Sequence, residues 1–545
     1  MEGAGTPTST TAAESTANAP ELAPAQFARN ASGLIRSATL WDAFGINATN
    51  GLFVLGIAWI LLYAGVLYPG GGVFFDIVMA VILSIPVTIV YLQLAIVFPR
   101  SGGDYVYNSR LLHPSIGFAA NVGLTAGLIF WAAFGGVYVV AYGIAPGLIT
   151  AGIQLNNDPM INAGTWFQGQ AQVFILSVVI IILFGVFFVL GGNKAYFRFQ
   201  IVAVILGGLA LAVVVAYGFL ASQHSALTNL DVLFKGMGAS ESATTMVKGE
   251  SPPFSFHQSY LMVWWAAGYI MSAFYSAYIG GEVKTPGRTQ MLGGLGALAW
   301  MAGWTALVVG AMFNLLGEPF FTNLGSAFDT SSFGPGLTPI YPTLIAGAIG
   351  NGYFTLVLMA CFSVFIIAVV GANMLLATRC MFAWGIDRVV PAWLCRVAPS
   401  GSPTSATLVT VIGTVGFCAA YTYGWMTALG GSWMFLVVFL LLCVSAMILP
   451  YRQTTVWESS PNANRLLGVP TITWWGAFGF ISVVICMSVL IVDPNYGISP
   501  RYNLFQFLLA PIFIAAGLIW YYVWRTIEAR KGIDTDLNFS QIPPE

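Results

Sequence analysis

Charge is the scarcest commodity in this sequence. Asp, Glu, Lys and Arg together make up 7% of 545 residues, against 58% hydrophobic. Soluble domains carry about 25% charged residues, and no soluble fold can hide so much apolar surface. With a mean hydropathy of +0.82, most of the chain must be solvated by lipid. The net charge of −1 and the lack of any basic patch interleaved with aromatics exclude nucleic acid as a partner. The six cysteines form no CxxC pair and argue against a disulfide framework or a zinc site. The three histidines, His113, His224 and His257, have no metal spacing. HExxH, GxSxG and GxxxxGK[ST] are all missing, so neither a membrane-embedded enzyme, a cofactor nor ATP drive is expected. No selectivity-filter loop or charged ring suggests a channel. Residues 1–30 lack an apolar core and read as a disordered tail, not a cleaved signal peptide.

What the sequence has is long apolar runs. A membrane helix needs about 20 apolar residues. Twelve stretches qualify: 40–67, 73–98, 115–148, 171–191, 200–221, 258–281, 291–316, 338–377, 404–424, 432–449, 471–492 and 504–524. With the N-terminus in the cytoplasm, Lys235, Lys248 and Arg501 fall outside and the other sixteen of the 19 basic residues fall inside. That bias predicts a multi-pass cell-membrane protein with both termini cytoplasmic. Residues 222–257, rich in Ser, Thr, Gly and Pro, read as an extracellular loop, more simply a solvated connector than a lid.

Two spans carry breaks. The first contains FGINATNGLF (44–53), with Asn47, Ala48, Thr49, Asn50 and Gly51 inside an apolar run. The sixth contains WWAAGYIMSAFYSAYIGGEVKTPGR (264–288), with Gly268, Ser272 and Ser276 among bulky aromatics. Asn, Thr and Gly favour local hydrogen bonds or permissive dihedrals over continuous helix. Each alone could equally be a helix with small polar residues at a packing face. Irregular backbone at membrane depth is tolerated where it lines a cavity or is buried in protein, and paired interruptions five spans apart point to a transporter built from inverted repeats.

Three polar motifs flank these spans. PRSGGDYVYNSRLLHPSIGF (99–118), GEVKTPGR (281–288) and ATRCMFAWGIDRVVPAWL (377–394) follow the second, sixth and eighth spans. Together they resemble the signature of the amino acid–polyamine–organocation (APC) transporter superfamily over about 40–450. The resemblance implies an all-α, leucine-transporter-like fold of 12 transmembrane helices. A 5+5 inverted repeat (37–221 and 258–450) would be followed by two C-terminal helices (451–527), with cytoplasmic tails at 1–36 and 528–545. It also implies a substrate site between the broken spans, at Asn47 to Gly51 and at Gly268, Tyr269, Ile270, Ser272, Phe274 and Tyr275. Asn50 stands where the family usually has Ser and Thr49 where it has Gly, which suggests a narrower or more polar site.

In such a site, free N–H groups at a half-helix N-terminus attract a carboxylate, and carbonyls at an opposing C-terminus accept from an ammonium. Tyr269, Phe274 and Tyr275 would close over the side chain. Arg100 or Arg110 would pair with Glu282 or Asp387 as an inner gate, at a wet surface where pairs exchange cheaply. The alternative for the arginines is plain positive-inside anchoring. For a sodium site between spans one and eight, span eight offers Ser363 but no strong hydroxyl pair, a packing role being the simpler reading. In some proton-linked relatives a Lys on the fifth helix replaces sodium; here Leu206 or Gly207 falls there. H+, Na+ or no coupling ion, exchange or symport, all stay open. The expected substrate is a neutral or zwitterionic amino acid. The alternative is a polyamine, nucleobase or other organic cation, although a polyamine site should hold acidic residues at membrane depth.

Overall fold

The computed structural model describes residues 34, 36–50, 52–330, 338–427 and 430–541. The first span is α1 (Leu40–Asn50) and α2 (Phe53–Leu67), followed by α3 (Val73–Val97), α4 (Asp104–Leu111) and α5 (Pro114–Tyr138). A π-helical turn, Val139–Ile144, leads into α6 (Ala145–Leu155), then α7 (Asp158–Phe167) and α8 (Gln170–Leu220). Next come α9 (Gln223–Gly236), α10 (Ala243–Met246), α11 (Phe256–Met262) and α12 (Trp264–Ile270). The chain continues through α13 (Pro286–Leu316), α14 (Glu318–Asp329), α15 (Tyr341–Ile349) and α16 (Gly352–Ile386). It ends with α17 (Thr404–Thr422), α18 (Gly430–Arg452), α19 (Thr454–Glu458), α20 (Thr471–Val492), α21 (Leu504–Ala529) and α22 (Asp536–Phe539). A two-residue ribbon, β1 (Arg465–Leu466) with β2 (Val469–Pro470), precedes α20.

Among the described residues, ten helical stretches are long and apolar enough to cross a membrane, with α1–α2 and α5–α6 each taken as one. Large apolar side chains remain exposed along them, including Leu183, Leu190, Leu209, Ile412 and Ile519. In water that would be a liability, but against lipid tails it costs nothing.

The expected spans 171–191 and 200–221 both lie in the 51-residue stretch α8, as two helical arms that meet at a break at Gly192. Straight, it would reach about 77 Å, more than twice the hydrocarbon thickness. It is not straight. Gly192 has φ 66° and ψ −174°, and the rings of Phe184 and Phe199 lie 5.8 Å apart, where a continuous helix would separate them by about 22 Å. Only glycine takes that backbone without strain.

The expected span 338–377 divides differently. Gly350, in the left-handed region, ends α15, and the Asn351 side chain caps α16, which runs on to Ile386. The connector 222–257 is also more ordered than its composition suggests. It contains α9, whose Ala226, Leu230, Leu233 and Phe234 are buried at helical spacing and face α15.

Both anticipated breaks are present. Helix α1 starts with a reciprocal cap, in which Thr39 N and Oγ1 each donate to Asp42 Oδ2 at 2.8 Å. It stops at Asn50, and Leu52 turns the chain with φ 51° before α2. Gly51 lies outside the described residues, as does most of the 1–36 tail. The sixth span is three pieces: α11, α12 and then 3-10 turns at Tyr275–Tyr278 and Gly280–Glu282.

Candidate functional site

The two breaks meet. Asn47 Nδ2 donates to Ser276 Oγ at 3.1 Å, and Ser276 N donates to Asn47 Oδ1 at 2.7 Å. Ser276 is held in turn by Gln290 on α13, which accepts from its hydroxyl and donates to its carbonyl. Asn47 thus supplies partners that a continuous helix would have supplied from its own backbone. Thr49 donates to Gly45 O and accepts from Gln200 Nε2 of α8 at 2.7 Å. Asn47 and Thr49 therefore fasten the break, and with Ala48 they are fully buried.

Beside the break is a cavity of about 330 Å³. Of the residues singled out in the sequence, Asn50, Gly268, Tyr269, Ser272 and Tyr275 line it. Asn47, Ala48, Thr49, Ile270 and Phe274 do not. Phe274 stacks face to face on Tyr91 at 3.7 Å and meets Phe439 edge-on, so it packs between helices instead of covering the cavity. In non-helical backbone the direction of a side chain cannot be taken from helical spacing, which is why Phe274 and Tyr275 part company.

Asn50 is the distinctive polar group of the wall. It is 6% exposed, and neither Oδ1 nor Nδ2 has a hydrogen-bond partner in the protein. A buried carboxamide left unpaired costs free energy, so something else must satisfy it. Across the cavity, Ser272 Oγ donates to Tyr269 O, and the Tyr269 hydroxyl donates to Thr305 at 3.2 Å. Gly56 lets α2 approach this ring, since a Cβ there would lie 2.3 Å from Tyr269 Cδ1. The rest of the wall is mainly aromatic, from α2, α5, the π-helical turn, α12, α17 and α18, and among the described residues no lining residue is charged. Sequence reasoning missed these aromatics: those of α5, the π-helical turn, α17 and α18 come from spans without polar breaks, and those of α2 and α12 lie outside the breaks of their own spans. The π-helical turn that presents Tyr142 is a common mark of functional sites.

The polar motifs gather in a second cluster. The 99–118 stretch runs against the unwound part of the sixth span: Gly102 N donates to Tyr278 O at 3.0 Å, and Ser101 bridges Ile279. Gly102 (φ 109°) and Gly103 (φ 54°) are required here, because a Cβ on the first would meet Ala383 at 2.6 Å and on the second the Tyr278 ring at 2.7 Å. Arg110 clamps Asp387 with two bonds of 2.8 Å. Glu282 is taken not by Arg100 but by Arg379 of α16, 2.7 Å away, and accepts a further bond from Asn193. Arg100 donates to Pro99 O.

These pairs are not at a wet surface as expected. Their side chains are at most 2% exposed, because α4, α16 and the 3-10 turns close over them. Burial works against the charged guanidinium of Arg110, and Asp387 outweighs it, holding the arginine above its usual pKa. Asp104, in the short helix α4 between spans, accepts from Tyr278 OH and from Asn121 Nδ2. Burial pushes its carboxyl up to about 6, and those hydrogen bonds only partly offset the shift.

Ser363 back-bonds to Met359 O at 2.8 Å and faces Gly143, away from the cavity lining. Gly207, at the position considered for a cation-replacing Lys, packs on Phe365, where a Cβ would come within 2.4 Å. A family model described as amino acid permease matches residues 39–516. A comparison with curated proteins found no match.

Proposed function

The chain belongs to the amino acid permease family, and from that premise we propose that it carries a zwitterionic, uncharged amino acid through the membrane by alternating access. Membership makes it a multi-pass membrane transport protein for amino acids or related organic solutes, a transporter rather than an enzyme.

The observation that carries the finer reading is Asn50. Its unpartnered carboxamide lines a cavity between the end of α1, the start of α2 and the end of α12. The N-terminal turn of α2 favours a carboxylate and the C-terminal turn of α12 an ammonium. Asn50 would bridge the two charges, with Gly268, Tyr269, Ser272 and Tyr275 around the α-carbon. The absence of Asp or Glu from the described residues of the cavity lining weighs against a polyamine, whose second ammonium would have no counter-charge.

In this reading α8 and the interrupted sixth span each complete the count of twelve crossings in a 5+5 repeat plus two, with both termini cytoplasmic. Arg110–Asp387 and Glu282–Arg379 hold the inner side shut and must separate for release. The test is counterflow in proteoliposomes, with unlabelled amino acids inside and one labelled amino acid outside. Accumulation by the native chain and its loss in Asn50→Ala support the reading. Equal accumulation by both would move the site elsewhere.

A further inference from the structure

The cavity wall away from Asn50 says what the substrate's side chain must be. Trp59 stacks on Tyr63 at 5.6 Å and meets Tyr142 edge-on at 5.3 Å. Tyr138 touches Tyr142 at 4.6 Å and Phe134 at 3.9 Å, and Phe134 touches Tyr421 at 4.6 Å. Because these rings contact one another, they form one continuous aromatic face on a cavity of about 330 Å³. With no charged residue among the described residues of the lining, an acidic or basic side chain would be desolvated without a counter-charge. A methyl or hydroxymethyl side chain would leave the face against water or empty space. We propose that the physiological substrate is an amino acid with a large aromatic side chain, an indole or a phenyl ring, seated on this face. Ring-on-ring contact adds selectivity over an aliphatic chain of similar area, about two- to tenfold per pair.

This inference rests on the cavity being the amino-acid site, and the experiment separates the two. Counterflow is measured with labelled Trp, Phe, Leu, Ala and Lys on the native chain and on Trp59→Leu. Trp and Phe exchanged ahead of Leu, Ala and Lys, with a lower aromatic-to-leucine ratio in Trp59→Leu, support it. Ala or Lys exchanged best would overturn the substrate class while leaving an amino-acid carrier. Exchange of none of the five by folded protein would overturn both.

A second, independent observation concerns the C-terminal segment. Asn538 Nδ2 donates to Asp387 O at 2.9 Å, and Arg110 Nε donates to Gln541 O at 3.3 Å. The Phe539 ring covers the Arg110 guanidinium at 5.1 Å and rests on Tyr521. Asn538 is fully buried and Phe539 nearly so. One short segment therefore touches both members of the Arg110–Asp387 pair, and so ties α4 to the end of α16. We infer that residues 533–541 are an autoinhibitory strap, which must lift before that ion pair can part.

The variants are a deletion of 533–545 and the double substitution Asn538→Ala with Phe539→Ala, which decides if the deletion fails to fold. Hydrogen–deuterium exchange of residues 104–111 should quicken, and the counterflow rate should rise about tenfold, the change that one or two lost hydrogen bonds produce. A synthetic peptide spanning 530–545 should slow the deleted form again. Unchanged exchange at 104–111 in folded double variant would overturn the strap, whatever the transport rate.

Discussion

Arg379 Nε lies 2.7 Å from Glu282 Oε1, with both side chains at most 1% exposed. Glu282 closes the last turn of the interrupted sixth span, and its carbonyl also accepts from Ser37 N and Ala38 N at 2.9 Å. One residue thus joins the approach to α1, the sixth span and α16. Removing one partner of a buried pair leaves an uncompensated charge, typically about 3–5 kcal/mol destabilising. Glu282→Leu or Arg379→Met alone should lower the thermal midpoint of the purified protein sharply. Together they should recover most of it, as measured by thermal unfolding in detergent, because the double change leaves no buried charge.

Asn50→Ala should behave oppositely. Its amide has no partner in the protein, so its removal breaks no internal bond and stability should hold. Substrate affinity should fall by about 10- to 100-fold, the value of a hydrogen bond to a charged group. Titration calorimetry with the substrate named by counterflow reads both the affinity and its loss.

Gly117→Ala should fail structurally. A Cβ there would lie 2.4 Å from Ser109 N and 2.6 Å from Ser109 Cα. These are backbone atoms of α4 and cannot swing aside, so α4 and α5 must move apart. Overpacking costs about 1–3 kcal/mol, or more when backbone must shift. The expected outcome is a lower yield of monodisperse protein and a lower thermal midpoint, against little change in Gly416→Ala, where nothing lies within 4 Å.

Asp104 gives a pH dependence with a definite sign. Its carboxyl is pushed from 3.8 up to about 6 by burial, so between those values the folded form holds the proton more tightly than the unfolded form. Stability from this group is full below pH 4 and falls as pH rises through about 6. Asp104→Asn should flatten that limb of the thermal midpoint measured from pH 4 to 8. An unchanged limb would place the titration elsewhere.

Much of this was legible in the sequence, for identifiable reasons. Scarce charge forces a lipid environment, and polar residues inside apolar runs mark where the first and sixth helices stop. The pair Gly102–Gly103 was legible as part of a motif, while its backbone of φ 109° and 54° emerges only in the structure. Even α9 left a trace, in the helical spacing of Ala226, Leu230, Leu233 and Phe234, beneath a composition that suggested a plain connector.

Partner choice and direction were decided only in three dimensions. Arg379 stood inside a quoted motif, yet its pairing with Glu282 depends on how a 35-residue helix, α16, registers against the sixth span. Phe274 and Tyr275 are neighbours with the same apparent role, and one packs on Tyr91 while the other lines the cavity. The aromatic face comes from several helices, and none of its residues lies within the polar stretches 47–51 and 268–276 that marked the breaks. Composition and local propensity act along the chain and fix which segments enter the membrane and where they break. Which side chains share a cavity is a property of distances across the chain, and packing sets those.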